Sequence, residues 1–222
     1  MASAHTGKVL LVLDLQHGIV SRVPDSSAFL AQTAKTINAA REHSIPVIYV
    51  TVNFRPGYPE VSSRNKMFST TVAAAGDAFE EGKPAVQIPA EIAPTEKDIL
   101  VSKRRVSAFS GSDLDVVLRG LGAETLIITG IATSGAVLST VRHAADQDFF
   151  ITVLNDLCFD LDEEVHRVLV EKVFPKQGEV VSSDSWIKSL RFANSSNGYK
   201  MWFPLTWRGV SRDVLLAVVD KT

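Results

Sequence analysis

The chain has 222 residues, enough for one large α/β domain or, less well, two small ones. Hydrophobic residues make up 45% of it and the formal net charge is −2, so it can bury a sizeable core and shows no basic footprint for nucleic acid. The apolar run Val9 to Leu13 is too short to span a membrane and lacks a signal-peptide layout. A small-molecule substrate is therefore the expected partner, with neither nucleic acid nor membrane. The single cysteine, Cys158, rules out an intrachain disulfide and points to a cytoplasmic location.

In chain order, Lys8 to Asp14 is a near-continuous apolar run, suited to a central parallel strand covered on both faces. Asp14 then falls at the strand's carboxyl end, where open α/β sheets place their ligands, although the same position suits a loop cap beside Gln16 and His17. Asp25 or Ser26 caps a helix running to about His43, with Phe29, Leu30, Ile37 and Ala40 inward. Val47 to Val52 is the second strand. Asn53 to Pro89 reads as a long irregular segment, of the kind that carries function or an interface. Within it Phe54, Arg55 and Tyr58 suit the roof of a small pocket, and a Pro/Gly-stiffened surface loop is the plain alternative.

Asp98 to Ser102 is the third strand, and Lys103 is the first of three cations at its end. Phe109 follows, then a helix capped by Ser112 or Asp113, carrying Leu114, Val117, Leu118 and Leu121, and closed by Gly122. The strand Thr125 to Thr129 leads through small residues into a helix from about Gly135 to Gln147. Next come the strand Phe149 to Leu154, a helix around Leu161 to Val173 with Val165, Val168 and Leu169 inside, a short strand near Val180, and a helix from Ser183 to Leu190. This alternation predicts a three-layer α/β/α sandwich on a mostly parallel, Rossmann-like sheet of about six strands. Residues 1–190 form the domain. Residues 191–222 form an aromatic C-terminal extension with Tyr199, Trp202, Phe203 and Trp207, which suits packing on this domain or on a partner subunit, a disordered extension being the plain alternative.

The stretch Thr-Gly-Ile-Ala-Thr-Ser-Gly-Ala-Val, Thr129 to Val137, turns a strand at once into a helix and so delivers backbone N–H donors to a helix N-terminus. Asp14, Lys103 and this turn stand at the carboxyl ends of parallel strands. An acid, an amine and a helix N-terminus in one cleft suit acyl transfer, with a proton shuttle, a charge stabiliser and an oxyanion site.

In Leu13-Asp14-Leu15-Gln16, Ser102-Lys103-Arg104 and Gly130-Ile131-Ala132-Thr133-Ser134-Gly135-Ala136-Val137, the chain resembles the isochorismatase-like cysteine hydrolases, which include nicotinamidases and N-carbamoylsarcosine amidohydrolase. The resemblance covers about Lys8 to Leu190. It implies an Asp–Lys–Cys triad that cleaves an amide through a thioester, with Asp14 and Lys103 matching and Ala136 at the nucleophile position. It also implies a non-proline cis peptide at Ile131–Ala132, aiming the N–H groups of Ala132 and Ala136 into an oxyanion hole.

Cys158 follows a different strand and reads as a core residue. Nicotinamidases of this family hold a metal through an Asp-x-His pair after the second strand. Here that place reads Asn53-Phe54-Arg55, so neither a catalytic metal nor another cofactor is expected. Gln16, Phe54, Arg55, Tyr58 and Phe109 are the expected substrate contacts. Arg55 suits a bidentate clamp on a carboxylate or, instead, a salt bridge with Glu60.

The reading adopted is a small-molecule amidase whose nucleophile is replaced by Ala136, as in an inactivated, substrate-trapping variant. A vinyl-ether hydrolase using Asp14 without a thiol, as isochorismatases do, and a non-catalytic pseudoenzyme are its alternatives. The resemblance also implies a homo-oligomer, a dimer or tetramer.

Overall fold

The structure, a computed structural model, describes residues 7–195. The aromatic cluster Tyr199 to Trp207 lies outside them. Six strands pair into one sheet: β1 (Lys8–Leu13), β2 (Val47–Val52), β3 (Ile99–Lys103), β4 (Thr125–Ile131), β5 (Phe150–Phe159) and β6 (Glu179–Val181). Their spatial order is β3-β2-β1-β4-β5-β6, and every pairing is parallel. The helices are α1 (His17–Val20), α2 (Ser26–Glu42), α3 (Lys66–Ala75), α4 (Leu114–Gly120), α5 (Leu138–Asp146), α6 (Glu163–Val168) and α7 (Ser183–Ser195).

The strand sequences explain the layering. In β1, Leu11 and Leu13 join one core with Leu114 and Leu118 of α4 and Val141 of α5, while Leu10 and Val12 join another with Leu30 and Ile37 of α2 and Trp186 of α7. Successive residues of a strand face opposite sides, so a strand apolar at every position is one covered twice. All six residues of β2 are buried, as are five of the six in β1. The α/β/α sandwich is as expected, with a sheet that is wholly parallel.

Three expectations need correction. The segment Asn53 to Pro89 is not irregular throughout, because Asn65 Oδ1 accepts from Phe68 N at 3.2 Å and starts α3. The β5 strand does not stop at Leu154. Its pairing with β4 shifts register, from Ile128↔Val153 to Gly130↔Cys158, so the polar pair Asn155-Asp156 sits inside one continuous strand that runs on to Phe159. Val165, expected inside, is 37% exposed, and α6 buries Leu169 beyond its end instead.

A third, smaller apolar cluster joins Val52, Phe54, Phe68, Phe79 and Val86. It covers the carboxyl ends of the strands on the β2 side, and the space left beneath it is the candidate site.

Candidate active site

The β1 chain leaves the sheet through Asp14, whose φ of 56° lies in the left-handed region that short polar side chains tolerate best. Asp14 N still donates to Val50 O at 2.8 Å, so the residue turns without losing the sheet. Gln16, two residues on, fastens this turn from within. It is fully buried, its amide donates to Val52 O and Val86 O at 3.0 and 2.9 Å, and its Oε1 accepts from Val52 N at 2.9 Å.

Lys103 ends β3 and is 2% exposed. Its ammonium lies 2.8 Å from Asp14 Oδ2 and donates to the carbonyls of Arg105 and Val106, each at 3.0 Å. Those three contacts use all three donors of an ammonium. Asp14 is less well served, because its Oδ1 is buried without a hydrogen-bond partner. Burial raises the Asp14 carboxyl above its ordinary range, with the Lys103 charge and hydrogen bond pulling the other way.

The third part comes from β4. The Ile131–Ala132 peptide is cis, and Gly130 before it has a φ of +144°. A Cβ on Gly130 would stand 2.2 Å from Leu13 O, so only glycine lets β4 pass this close to β1. A single π-helical turn, Thr133–Val137, then leads into α5. Gly135 N and Val137 N donate to Ala132 O at 3.0 and 3.2 Å, and Ser134 N donates to Asp160 Oδ2 at 2.7 Å. Thr133 Oγ1 lies 2.8 Å from His166 Nδ1.

These parts converge on one cavity of about 190 Å³. Asp14, Lys103, Ala132, Gly135 and Ala136 line it, together with apolar groups that include Ile19, Val52, Phe54 and Phe79. A larger cleft of about 510 Å³ opens at the amino ends of β4, β5 and β6, but the charged residues lining it, Lys8 and Glu179, are both exposed. The smaller cavity is the one in which low dielectric would strengthen electrostatic interactions.

Of the expected substrate contacts, Phe54 lines this cavity and four do not. Gln16 spends its amide on backbone groups. Arg55 is exposed and pairs with Glu60 at 2.5 Å. Tyr58 stands behind Phe54 at 5.6 Å between ring centroids, its hydroxyl donating to Gly76 O and accepting from Phe79 N. Phe109 is a core residue stacked on His143 at 4.6 Å. What sequence reading missed is the wall made by α3, including Met67, Phe68 and Thr71, and Arg22 at the rim. The Asn65 cap was the signal for α3, whereas nothing local marked Arg22.

Cys158 pairs with Gly130 inside the sheet, and burial pushes its thiol up to about 12. It is a core residue and takes no part in the cavity. Among the described residues no group of three or more His, Cys, Asp or Glu side chains is arranged to hold a metal.

A parallel sheet with an acid, a lysine and a cis-peptide turn gathered at its carboxyl edge defines the class: a Rossmann-like α/β fold with a charged cavity at the carboxyl ends of its strands. Comparison with known proteins narrows this, since the family model of the isochorismatase domain matches residues 8–185. The chain belongs to the isochorismatase family of hydrolases. It is 30% identical over 201 residues to the ureidoacrylate amidohydrolase RutB of Variovorax paradoxus, covering 81% of this chain and 80% of that one. It is 28% identical to an uncharacterised isochorismatase family protein of Bacillus subtilis, over 82% of this chain and 93% of the other. Among solved structures, an isochorismatase family protein of Burkholderia thailandensis superposes with a TM-score of 0.71 at 27% identity, covering 83% of this chain and 96% of that one. N-carbamoylsarcosine amidase of Thermoplasma acidophilum shares the fold, with a TM-score of 0.65 at 22% identity, over 80% of this chain and 96% of the other. No helix among the described residues is long and apolar enough to cross a membrane.

Proposed function

We infer that this chain carries an amidohydrolase-type site for small carbonyl substrates in which Ala136 occupies the nucleophile position. As written it binds such substrates without forming a thioester. The observation that supports this is the buried, unpartnered Asp14 Oδ1 in the cavity that Ala136 also lines. A thiol carried by residue 136 would need a nearby base to take its proton, and Asp14 is the one carboxylate on the cavity wall. Lys103 holds that carboxylate by its other oxygen. The N–H groups of Ala132 and Ala136 supply the oxyanion site, and the apolar wall excludes water. That relatives include a ureidoacrylate amidohydrolase agrees with an amide or ureido substrate.

The test is Ala136→Cys assayed on a panel of small amides and ureido compounds, with thiol alkylation as the second readout. Turnover in the variant, abolished by Asp14→Asn, supports the inference. An introduced thiol that neither alkylates faster than a free thiol nor supports turnover removes it.

The raised carboxyl of Asp14 favours a second reading, in which the protonated acid protonates a vinyl ether with no covalent intermediate. The unmodified chain would then hydrolyse isochorismate, and Asp14→Asn would abolish the activity. Absence of conversion by the unmodified chain disposes of this reading.

A further inference from the structure

The turn that carries residue 136 is held from outside by one short segment. Thr133–Val137 is a single π-helical turn, a form that is rare and concentrates at functional sites. Gly135 N and Val137 N, on either side of Ala136, both donate to Ala132 O, which closes the turn on itself. Its two leading residues are fastened elsewhere. Ser134 N donates to Asp160 Oδ2 at 2.7 Å, and Thr133 Oγ1 lies 2.8 Å from His166 Nδ1. Both partners belong to the stretch that follows β5 and enters α6. Neither Thr133 nor His166 lines the cavity.

Apolar packing does not seat α6. None of its six residues is buried. Its start is set by polar bonds instead: Asp162 Oδ1 accepts from Glu164 N and Val165 N at 3.0 Å each, and Asp160 Oδ1 accepts from Asp162 N at 3.4 Å. Thr133 is the reverse case, fully buried, with His166 as the hydrogen-bond partner of its hydroxyl among the described residues. A buried hydroxyl left without a partner is costly, so the place of the ring constrains the place of the turn. Burial lowers the His166 pKa, opposed by Asp160. The ring is therefore neutral at neutral pH, which leaves Nδ1 able to accept from the Thr133 hydroxyl.

We propose that His166 is a positioning residue of this site: through Thr133 it fixes the turn that aims the backbone N–H groups of Ala132 and Ala136 into the cavity. For its effect on turnover this rests on the amidohydrolase reading above; for its effect on a thiol at residue 136 it does not. Backbone donors stabilise developing charge only when their direction is set beforehand, and a misplacement of about 1 Å can cost about a hundredfold in rate. The same donors, with the helix behind them, favour a thiolate over a thiol at the start of α5. His166 thus acts on residue 136 without touching it or the substrate.

The test is made in full-length Ala136→Cys, to which His166→Leu, His166→Asn, Thr133→Val and Thr133→Ser are added singly, and His166→Leu with Thr133→Val together. Leucine removes the hydrogen bond at similar bulk, while asparagine keeps a polar atom where Nδ1 stands. The readout is the pH midpoint of iodoacetamide labelling at residue 136, resolved from Cys158 by peptide mass. His166→Leu and Thr133→Val each raise the midpoint by about half a unit or more, the scale of a helix-terminus effect on a charge. The double variant shifts it no further than either single one, while His166→Asn and Thr133→Ser keep the parent's value. On a small amide that Ala136→Cys cleaves, His166→Leu lowers kcat about tenfold or more and leaves KM within about twofold, the mark of an interaction made in the transition state. An unchanged midpoint in His166→Leu, additive shifts in the double variant, or His166→Asn as impaired as His166→Leu overturns the assignment, whatever the melting temperatures do. Should His166→Leu fail to fold, Thr133→Val decides by the same midpoint. A shifted midpoint without any turnover leaves His166 standing and removes the amidohydrolase; turnover with an unmoved midpoint does the reverse.

Discussion

Lys103 Nζ reaches Asp14 Oδ2 at 2.8 Å across the carboxyl end of β2, the strand that separates their own two strands. Both side chains are buried, so neither charge has water to fall back on.

Removing one partner should therefore be severe. Lys103→Met is expected to destabilise the fold by about 3 kcal/mol at neutral pH, because it strands a buried carboxylate. Adding Asp14→Leu to that variant should recover much of the loss. Urea denaturation of the two variants measures both. A single Lys103→Met variant as stable as the parent would show that the pair contributes nothing.

The pH dependence of the pair has a fixed sign. The Asp14 carboxyl is raised by burial, so across the window from the ordinary carboxylate range up to its folded value the native state binds more protons than the unfolded chain. Its contribution is fully present below that window and is lost as pH rises through it. Stability of the parent relative to Asp14→Asn should fall as pH rises there, and in Lys103→Met the window should extend to higher pH. A carbon-detected titration of the Asp14 carboxyl gives the same answer directly. A midpoint below that of a free aspartate contradicts it.

Gly130→Ala should lose roughly 3 kcal/mol or more and abolish ligand binding, since its methyl group would overlap Leu13 O and its φ disfavours any side chain. Thermal melting and titration with small amides and ureido compounds on the same sample report both effects. A variant that melts with the parent would mean the strands separate there at no cost.

Arg55→Ala should change stability by less than about 1 kcal/mol and leave affinity for those compounds unaltered, because Arg55 is spent on an exposed pair with Glu60. A large loss of affinity would return Arg55 to the site.

Cys158 should resist alkylation in the native protein at neutral pH and react once it unfolds, since burial holds the thiol up to about 12. Native-state mass spectrometry after iodoacetamide treatment decides this. In Ala136→Cys any rapid labelling should then fall on the introduced thiol alone.

How legible the site was depends on distance along the chain. Asp14, Lys103 and the turn at Ala136 could be read because each follows its own apolar run, and a parallel sheet brings such ends to one edge whatever the loops do. Gln16 and Phe109 misled because proximity in sequence to a site residue does not say which way a side chain points. Gln16 turns inward to satisfy Val52 and Val86, some 36 and 70 residues away in sequence. Arg55 went to the nearer acid, as exposed arginines do. Arg22 was invisible for the opposite reason: α1, which presents it, is only four residues long and leaves no periodic trace.

The place of β3 in the sheet sets where ligand binding fails first on warming. Lys103 closes β3, and β3 is an edge strand, hydrogen-bonded to a neighbour on one side. Edges fray sooner than centres. A local opening confined to β3 would withdraw the lysine from Asp14 while β1, β4 and the turn at Ala136 stayed in place. Warming the protein should then silence the site before the molecule melts, with amide exchange in β3 as the early warning.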